Sequence, residues 1–226
     1  RYAAALMRAG RAREAHVMLL DLFTNVAPTP EQIRLTALAA SAAGDTGDAY
    51  FYMSEYHIAN GNLPLKDLYE VGEIPPLGHV PAKMHAWCIR QERHGSPDTA
   101  MQVEVVPTWS IGEDECLVLV MAAGVNYNGV WASLGKPISP IDGHKNPYHI
   151  AGSDASGIVY AVGAKVKRWK VGDEVVVHCN QDDGDDEECN GGDPMFSPSQ
   201  RIWGYETPDG SFSQFTRVQA QQLMPR

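Results

Sequence analysis

A dense run of carboxylates is the first stretch of the sequence that could bind a metal. Six of the seven residues from Asp182 to Glu188 are acidic. Calcium takes oxygen ligands, but the run lacks the ligand spacing of an EF-hand loop. Six like charges repel one another and prefer water, which favours a solvated acidic insertion over a calcium site.

Histidines and cysteines offer other chemistry. His144, His149 and His178 are possible acids or bases near neutral pH, although single histidines on or near strands are usually structural. The cysteines form no CxxC pair, which indicates reduced structural thiols rather than a zinc knuckle or a redox motif. They are Cys88, Cys116, Cys179 and Cys189.

The charge balance excludes one class of partner. The 226 residues include 18 Lys and Arg against 28 Asp and Glu, for a net charge of -10. Binding nucleic acid requires a basic surface, so nucleic acid is not an expected partner. The longest apolar stretch, residues 116–125, is about half of the ~20 residues that a spanning helix needs, so no membrane anchor is expected.

The elements that carry these residues fall into two unlike parts. Residues 1–63 have apolar residues at helical spacing and a repeat of 34, the tetratricopeptide period, in which Gly10 recurs as Gly44 and Ala15 as Ala49. About two repeats are present, fewer than a stable solenoid needs, and an ordinary helical bundle is the alternative. The apolar positions include Leu6, Val17, Leu20, Ile33, Leu38 and Tyr52.

From Lys66 onward, short β-rich runs and turn signals replace the helical pattern, which predicts a boundary near Leu65. The fold class is therefore α+β and multidomain, with a helical segment at residues 1–65 followed by a mainly β barrel with short helices at residues 66–226. The predicted strands are 84–90, 101–106, 116–125, 157–162, 173–178 and 213–218.

The helical segment resembles a known family. RYAAALMRAGRAREAHVMLLDLFTNVAPTPEQ and DAYFYMSEYHIANGNLPL are similar to the tetratricopeptide tail of M48-family periplasmic metallopeptidases. The sequence contains no HExxH motif, so the zinc and the hydrolytic activity of that family are not expected.

The second part resembles a different family. AAGVNYNGVW and PYHIAGSDASGIVYAVGAKVKRWKVGDEVVVHC are similar to the GroES-like domain of medium-chain dehydrogenases and reductases. Within that superfamily, KDLYEVGEIPPLGHVP, CNQDDGDDEECNGGDPMFSPSQRIWGYET and FTRVQAQQLMPR look like crotonyl-CoA carboxylase/reductases.

The resemblance implies a reaction. In that family, hydride from NADPH adds to the β-carbon of crotonyl-CoA, and the resulting enolate attacks CO2 to give ethylmalonyl-CoA. The protein must hold a neutral gas beside the enolate, exclude water, and donate hydrogen bonds to oxygens that become a carboxylate. The acyl-CoA and CO2 are therefore the expected partners, NADPH is the expected cofactor, and the cytoplasm is the expected location.

Three residues match the CO2 pocket of the resembled family. Asn128 matches a CO2-binding asparagine, and Tyr205 and Glu206 match an aromatic residue and a glutamate that acts mainly through water. The aromatic residue is usually Phe, so Tyr205 departs from the pattern with a hydroxyl that needs a partner when buried. The alternatives are a helix-capping role for Asn128 and a packed turn at Trp203–Glu206.

The resemblance also bears on metal. Zinc alcohol dehydrogenases place a His-Glu pair where this sequence has Ser153 and Asp154 after Gly152. Serine cannot replace the imidazole ligand, and the preceding turn has no Cys, so no catalytic zinc is expected. Asp154 is interpreted as a supporting carboxylate.

The nicotinamide-binding Rossmann domain of the resembled family is expected to begin just after Arg226. No GxGxxG turn occurs in the sequence, so we expect that the chain cannot complete the reaction alone, and no cofactor-binding residue is assigned. Two unrelated parts indicate a fused or chimeric chain. A homo-oligomer is implied by resemblance only.

Three functions stay open: the reductive carboxylase, a zinc-independent enoyl or quinone reductase of the same superfamily, and an interaction module whose helical segment binds a peptide.

Overall fold

The computed structural model describes residues 2–59 and 65–226, which fall into two compact units. One unit comprises Arg1–Lys66 with Gly72–His79, and the other comprises Asp67–Val71 with Val80–Arg226. The predicted boundary near Leu65 adjoins residues 60–64, which, like Arg1, lie outside the described residues. Within the described ranges, no helix is long and apolar enough to cross a bilayer.

Helices make up the described part of the first unit before residue 60, as the sequence predicts. Helix α3 has a capping box, in which the Thr29 hydroxyl accepts a hydrogen bond from the Gln32 N–H and the Gln32 side chain accepts one from the Thr29 N–H. Gly44, at φ 84°, ends α3 in the left-handed conformation. The helices are α1 Tyr2–Arg8, α2 Ala12–Phe23, α3 Pro30–Ala43 and α4 Thr46–Ala59.

Small residues dominate the core of this helical unit. Ala15 and Ala39 are fully buried and pack with Leu6 and Leu19. Two of the predicted apolar positions are exposed instead, since Val17 is 61% and Leu38 is 38% accessible. The alanines let neighbouring helices approach closely. The tetratricopeptide assignment of this segment stays a prediction.

The second unit combines strands with short helices. Its strands are β1 Lys83–Ile89, β2 Gln102–Pro107, β3 Glu115–Ala123, β4 His149–Ile150, β5 Ala155–Val162, β6 Glu174–Val177, β7 Asn180–Gln181, β8 Arg201–Ile202, β9 Phe215–Gln219 and β10 Leu223–Pro225. Its helices are α5 Pro97–Ala100, α6 Tyr127–Leu134 and α7 Pro140–His144, with single turns of 3-10 helix at Gln91–Arg93, Pro194–Phe196 and Ala220–Gln222.

The strands form antiparallel sheets. The largest has the order β10-β6-β5-β3-β9, a second has the order β2-β1-β4, and β7 pairs with β8. The six predicted strands are confirmed as β1, β2, β3, β5, β6 and β9. A mixed helix-and-sheet fold is thus established, but the sheets of the described residues stay open, and the closed barrel that the sequence predicted is not found among them.

The core of this unit lies against the five-stranded sheet. Valines from neighbouring strands pack together there, with Val118 on β3, Val159 on β5 and Val175 on β6 all fully buried. Trp203, also fully buried, packs against them, and its indole N–H donates to the Asp209 carbonyl oxygen over 3.0 Å. An apolar sheet face and one large aromatic side chain therefore fix the segment that follows β8.

Three glycines let separate segments meet at backbone distance. Gly152 (φ 99°) and Gly204 (φ 73°) are both left-handed, and a Cβ on Gly204 would overlap the carbonyl oxygen of Gly152. A Cβ on Gly210 would overlap the carbonyl oxygen of Ala151, while Ser211 N–H donates to the Gly152 oxygen over 2.9 Å. We call Gly152, Gly204 and Gly210 the glycine crossing.

We predict that Gly204→Ala destabilises the second unit by about 3 kcal/mol or more, because left-handed strain and backbone overlap add together. Gly184→Ala is the matched control, since Gly184 has the same φ of 73° but only a 3.5 Å contact to the Gln221 side chain. For this control we expect a destabilisation of about 1–2 kcal/mol, from the left-handed strain alone.

Urea unfolding followed by tryptophan fluorescence measures this difference, because all five tryptophans lie in the second unit. If both variants lose the same free energy of unfolding, the glycine crossing tolerates a methyl group at Gly204.

Candidate functional site

The Asn126-Tyr127-Asn128 turn connects β3 to α6. Asn126 is extended, with φ -135° and ψ 174°, and its side-chain oxygen Oδ1 accepts a hydrogen bond from the Asn128 N–H over 2.9 Å. Asn126 is therefore the N-cap of α6, and the alternative role of Asn128 as the cap is wrong. The Asn128 side chain is exposed in the first turn of the helix.

The other end of the Asn126 side chain reaches the start of β5. Its Nδ2 donates to Asp154 Oδ2 over 2.5 Å and to Ser153 Oγ over 3.2 Å. Ser153 is 5% exposed, whereas Asp154 lies at the surface. Three polar side chains thus satisfy one another at the position where the sequence comparison with zinc dehydrogenases placed metal ligands.

Tyr205 and Glu206 lie in the turn that follows Trp203. Tyr205 is half-buried and packs on a cluster of Ile89, Ala132 and Ala151. Burial raises the pKa of the Tyr205 hydroxyl, and the nearby charge of Glu206 adds to the rise. Glu206 is exposed, and its Oε2 accepts a hydrogen bond from the Ile202 N–H over 2.7 Å.

The same cluster connects this turn to α6. Ala132, a member of the cluster on which Tyr205 packs, lies one helical turn after Asn128, so the two α6 residues lie on neighbouring positions of one helix face. A Cβ on Gly129 would touch Met101 and Phe212, which pack on that cluster as well. The structure therefore supports Asn128 and Tyr205 from a shared set of buried residues.

Comparison with known proteins decides the family of the chain. The model of the alcohol dehydrogenase GroES-like domain matches residues 112–226. This chain belongs to that GroES-like family. The match includes Asn126, Asn128, Ser153, Asp154, Tyr205 and Glu206.

Within the GroES-like family, the curated relatives include crotonyl-CoA carboxylase/reductase of Cereibacter sphaeroides, 82% identical over 165 residues that cover 73% of this chain and 38% of the relative. Crotonyl-CoA reductase of Streptomyces avermitilis is 39% identical over 147 residues, 59% of this chain and 33% of the relative. The chain therefore spans little more than a third of the length of these proteins.

Solved structures agree with this assignment. A crotonyl-CoA carboxylase/reductase matches with a TM-score of 0.70 at 80% identity, over 72% of this chain and 38% of that one. The carboxylase/reductase AntE in complex with NADP matches with a TM-score of 0.66 at 49% identity, over 71% of this chain and 41% of that one. The predicted resemblance is confirmed, whereas the resemblance to M48 peptidase tails stays a prediction.

The acidic segment of the GroES-like domain uses its carboxylates to organise its own backbone. Asp182 accepts a hydrogen bond from the Gly184 N–H over 3.0 Å, and Asp183 accepts one from the Asp185 N–H over 3.1 Å. Hydrogen bonds, first from the Ser197 hydroxyl and then from the Cys189 N–H, lower the pKa of the Asp186 carboxyl. Consecutive turns therefore shape this segment.

The two histidines of the α7–β4 region form a stacked pair, in which His149 is buried and His144 is half-buried. His149 is fully buried and stacks on His144, with ring centroids 5.3 Å apart. His144 Nδ1 accepts the Asn146 N–H, so a neutral His144 ring donates from Nε2 to His149 Nδ1 over 3.2 Å. Burial, and to a lesser extent the neighbouring His144, lower the pKa of His149 to about 3. These contacts support the structural interpretation.

This pair predicts acid sensitivity. As the pH falls below the ordinary histidine pKa of about 6.5, the unfolded chain gains a proton at residue 149, and the folded chain does not until about pH 3. Neutral, buried His149 therefore contributes its full stability above pH 6.5. Below that pH the free energy of unfolding falls by about 1.4 kcal/mol per pH unit, the value for one proton.

Tryptophan-monitored urea unfolding between pH 6.5 and 5 measures this slope, which we expect to be flatter in His149→Gln. His178→Gln changes an exposed histidine and serves as the control. An unchanged slope in His149→Gln would contradict the assignment.

Sequence reasoning missed the role of Asn126. The signal was present, because an Asn that follows a strand and directly precedes a helical run is an N-cap pattern. Its contacts with Ser153 and Asp154 carried no sequence signal, since those residues lie 27 and 28 positions away.

Proposed function

We propose that this chain supplies the substrate-side domain of an NADPH-dependent reductive carboxylase that converts crotonyl-CoA and CO2 to ethylmalonyl-CoA. The observation that carries the proposal is the 82% identity to the crotonyl-CoA carboxylase/reductase of Cereibacter sphaeroides. In this proposal, the segment from residue 66 to residue 226 is the GroES-like substrate domain.

Asn128 is the proposed CO2 contact. Its exposed side chain lies in the first turn of α6, where free N–H groups and the helix dipole favour developing negative charge. A carboxamide N–H donates to an oxygen that gains charge, yet the group stays neutral and does not attract competing anions. The residue type and the position therefore suit a CO2 oxygen that becomes a carboxylate.

Tyr205 and Glu206 take supporting roles in the proposal. Tyr205, packed on the Ile89, Ala132 and Ala151 cluster, would form a fixed aromatic wall of the pocket. Glu206, held by the Ile202 N–H, would act through water that its carboxylate orients. Its negative charge makes direct contact with a forming carboxylate unfavourable.

The described residues do not fit the nicotinamide cofactor. Every ladder between their named strands is antiparallel, and no Gly-rich turn joins a parallel strand to a helix there. We therefore propose NADPH as the cofactor from the relatives alone, and we assign no residue of this chain to it.

The proposal extends to assembly, location and the helical segment. A cytoplasmic homo-oligomer is proposed for the complete enzyme. For residues 1–65, we propose a tetratricopeptide-like arrangement that binds a peptide, because its alanine-rich core brings helices close together as that repeat requires. The second candidate for the GroES-like domain is a zinc-independent enoyl or quinone reductase, which would need the Asn126 contacts but not Asn128.

A full-length hybrid tests the reaction. The whole chain, through Arg226, is joined to the nucleotide-binding domain of the Cereibacter sphaeroides relative, and the CoA products formed from crotonyl-CoA, NADPH and bicarbonate are quantified. We expect ethylmalonyl-CoA from the hybrid. Asn128→Ala should lower the carboxylation rate about 100-fold, while reduction to butyryl-CoA persists, because the lost group acts on CO2 alone.

Gln102→Ala, an exposed change on β2, is the control. Butyryl-CoA as the sole product of both the hybrid and its Asn128→Ala variant would instead support the plain enoyl reductase.

A further inference from the structure

We infer that Asn126 and Asp154 form a positioning pair that aims Asn128 at the reacting CO2. The inference rests on the proposed function, which it deepens by assigning a task to two residues that do not touch substrate themselves.

The orientation of the Asn126 amide is fixed by its partners. The Asn128 backbone N–H can only donate, so it must face the side-chain oxygen Oδ1. The Asp154 carboxylate can only accept, so it must face Nδ2. Rotating the amide by half a turn would break both bonds and bring like groups together. The Asn126 side chain therefore has one stable orientation and links α6 rigidly to Asp154.

Asp154 is itself anchored to the large sheet. Its carbonyl oxygen accepts the Gly124 N–H over 3.0 Å, directly beside the Ala123 and Ala155 pair of the β3–β5 ladder. A Cβ on Gly124 would come within 2.8 Å of the Asp154 Cβ, so glycine leaves the room in which the carboxylate lies. The buried Ser153 hydroxyl supports Asn126 from the same turn.

A continuous path therefore leads from the sheet to the proposed CO2 contact. It runs from the β3–β5 ladder to Asp154, across the Asn126 amide, and into the backbone of Asn128. Misplacing a reacting group by about 1 Å can slow a reaction about 100-fold. The pair would thus act on the direction of the Asn128 side chain, and hence on how often the enolate meets CO2 before a proton.

Exchanging the two residue types tests this path. Asn126→Asp keeps an oxygen to cap Asn128 but sets two carboxylates against each other, so the end of α6 should shift. The double variant Asn126→Asp with Asp154→Asn restores one donor and one acceptor in reversed order. Both variants are made in the full-length hybrid, and Gln102→Glu adds the same charge at an exposed site as the control.

The measured quantity is the ratio of ethylmalonyl-CoA to butyryl-CoA at fixed bicarbonate. We expect Asn126→Asp to lower this ratio about tenfold or more, and the double variant to return it to within about threefold of wild type. The control should leave it unchanged. Tryptophan-monitored unfolding of the same substitutions in the 226-residue chain reports any loss of folding separately.

The outcomes separate the two claims. If the unsubstituted hybrid forms no ethylmalonyl-CoA, the proposed function itself is wrong. If that hybrid carboxylates, but Asn126→Asp lowers both products equally or leaves the ratio unchanged, the pair is only structural and the inference is overturned. The inference is also overturned if the product ratio of the double variant stays as low as that of Asn126→Asp. The hydrogen bond between positions 126 and 154 would then not be what positions Asn128.

Discussion

Backbone-to-backbone contact at the glycine crossing is the constraint on which the site depends. Gly152 and Gly204 adopt left-handed conformations, and neither position has room for a side chain. Each glycine directly precedes a residue of the site, since Ser153 follows Gly152 and Tyr205 follows Gly204. The crossing therefore sets where both turns leave the core. Trp203, fully buried beneath it, anchors the second turn by packing and by its indole hydrogen bond.

Hydrogen bonds connect the glycine crossing to the first turn of α6. From the crossing, the chain passes through Ser153 to Asp154, and both accept hydrogen bonds from Asn126, which in turn caps α6. Within this set, the Asn126 amide donates to both residues and its oxygen accepts the Asn128 N–H. Apolar contacts hold the other side of the helix, where Ala132 packs in the cluster that supports Tyr205. A short helix is thereby fixed at its first turn and along its buried face.

Long, regular features of the fold could be predicted from the sequence, and short or tertiary features could not. The six longer strands carry β-rich runs, whereas β4, β7 and β8 have two residues each, too few to show alternation. In the helical unit, the 34-residue repeat selected Ala15, which is buried, whereas the helical spacing of large apolar residues selected Val17, which is exposed, because close helix packing needs small side chains. For the candidate site, the resemblance predicted Asn128 but not the hydrogen bond that joins its backbone N–H to Asn126.

The mutual hydrogen bonding of Asn126, Ser153 and Asp154 also bears on how such a site can evolve. In a fold shared with zinc dehydrogenases, a histidine at position 153 would remove one hydrogen-bond partner of Asn126. A cysteine at position 126 would remove the cap of α6 and leave Asp154 without its donor. Each single step breaks one or more of these hydrogen bonds. Replacing this set by metal ligands therefore requires several substitutions together.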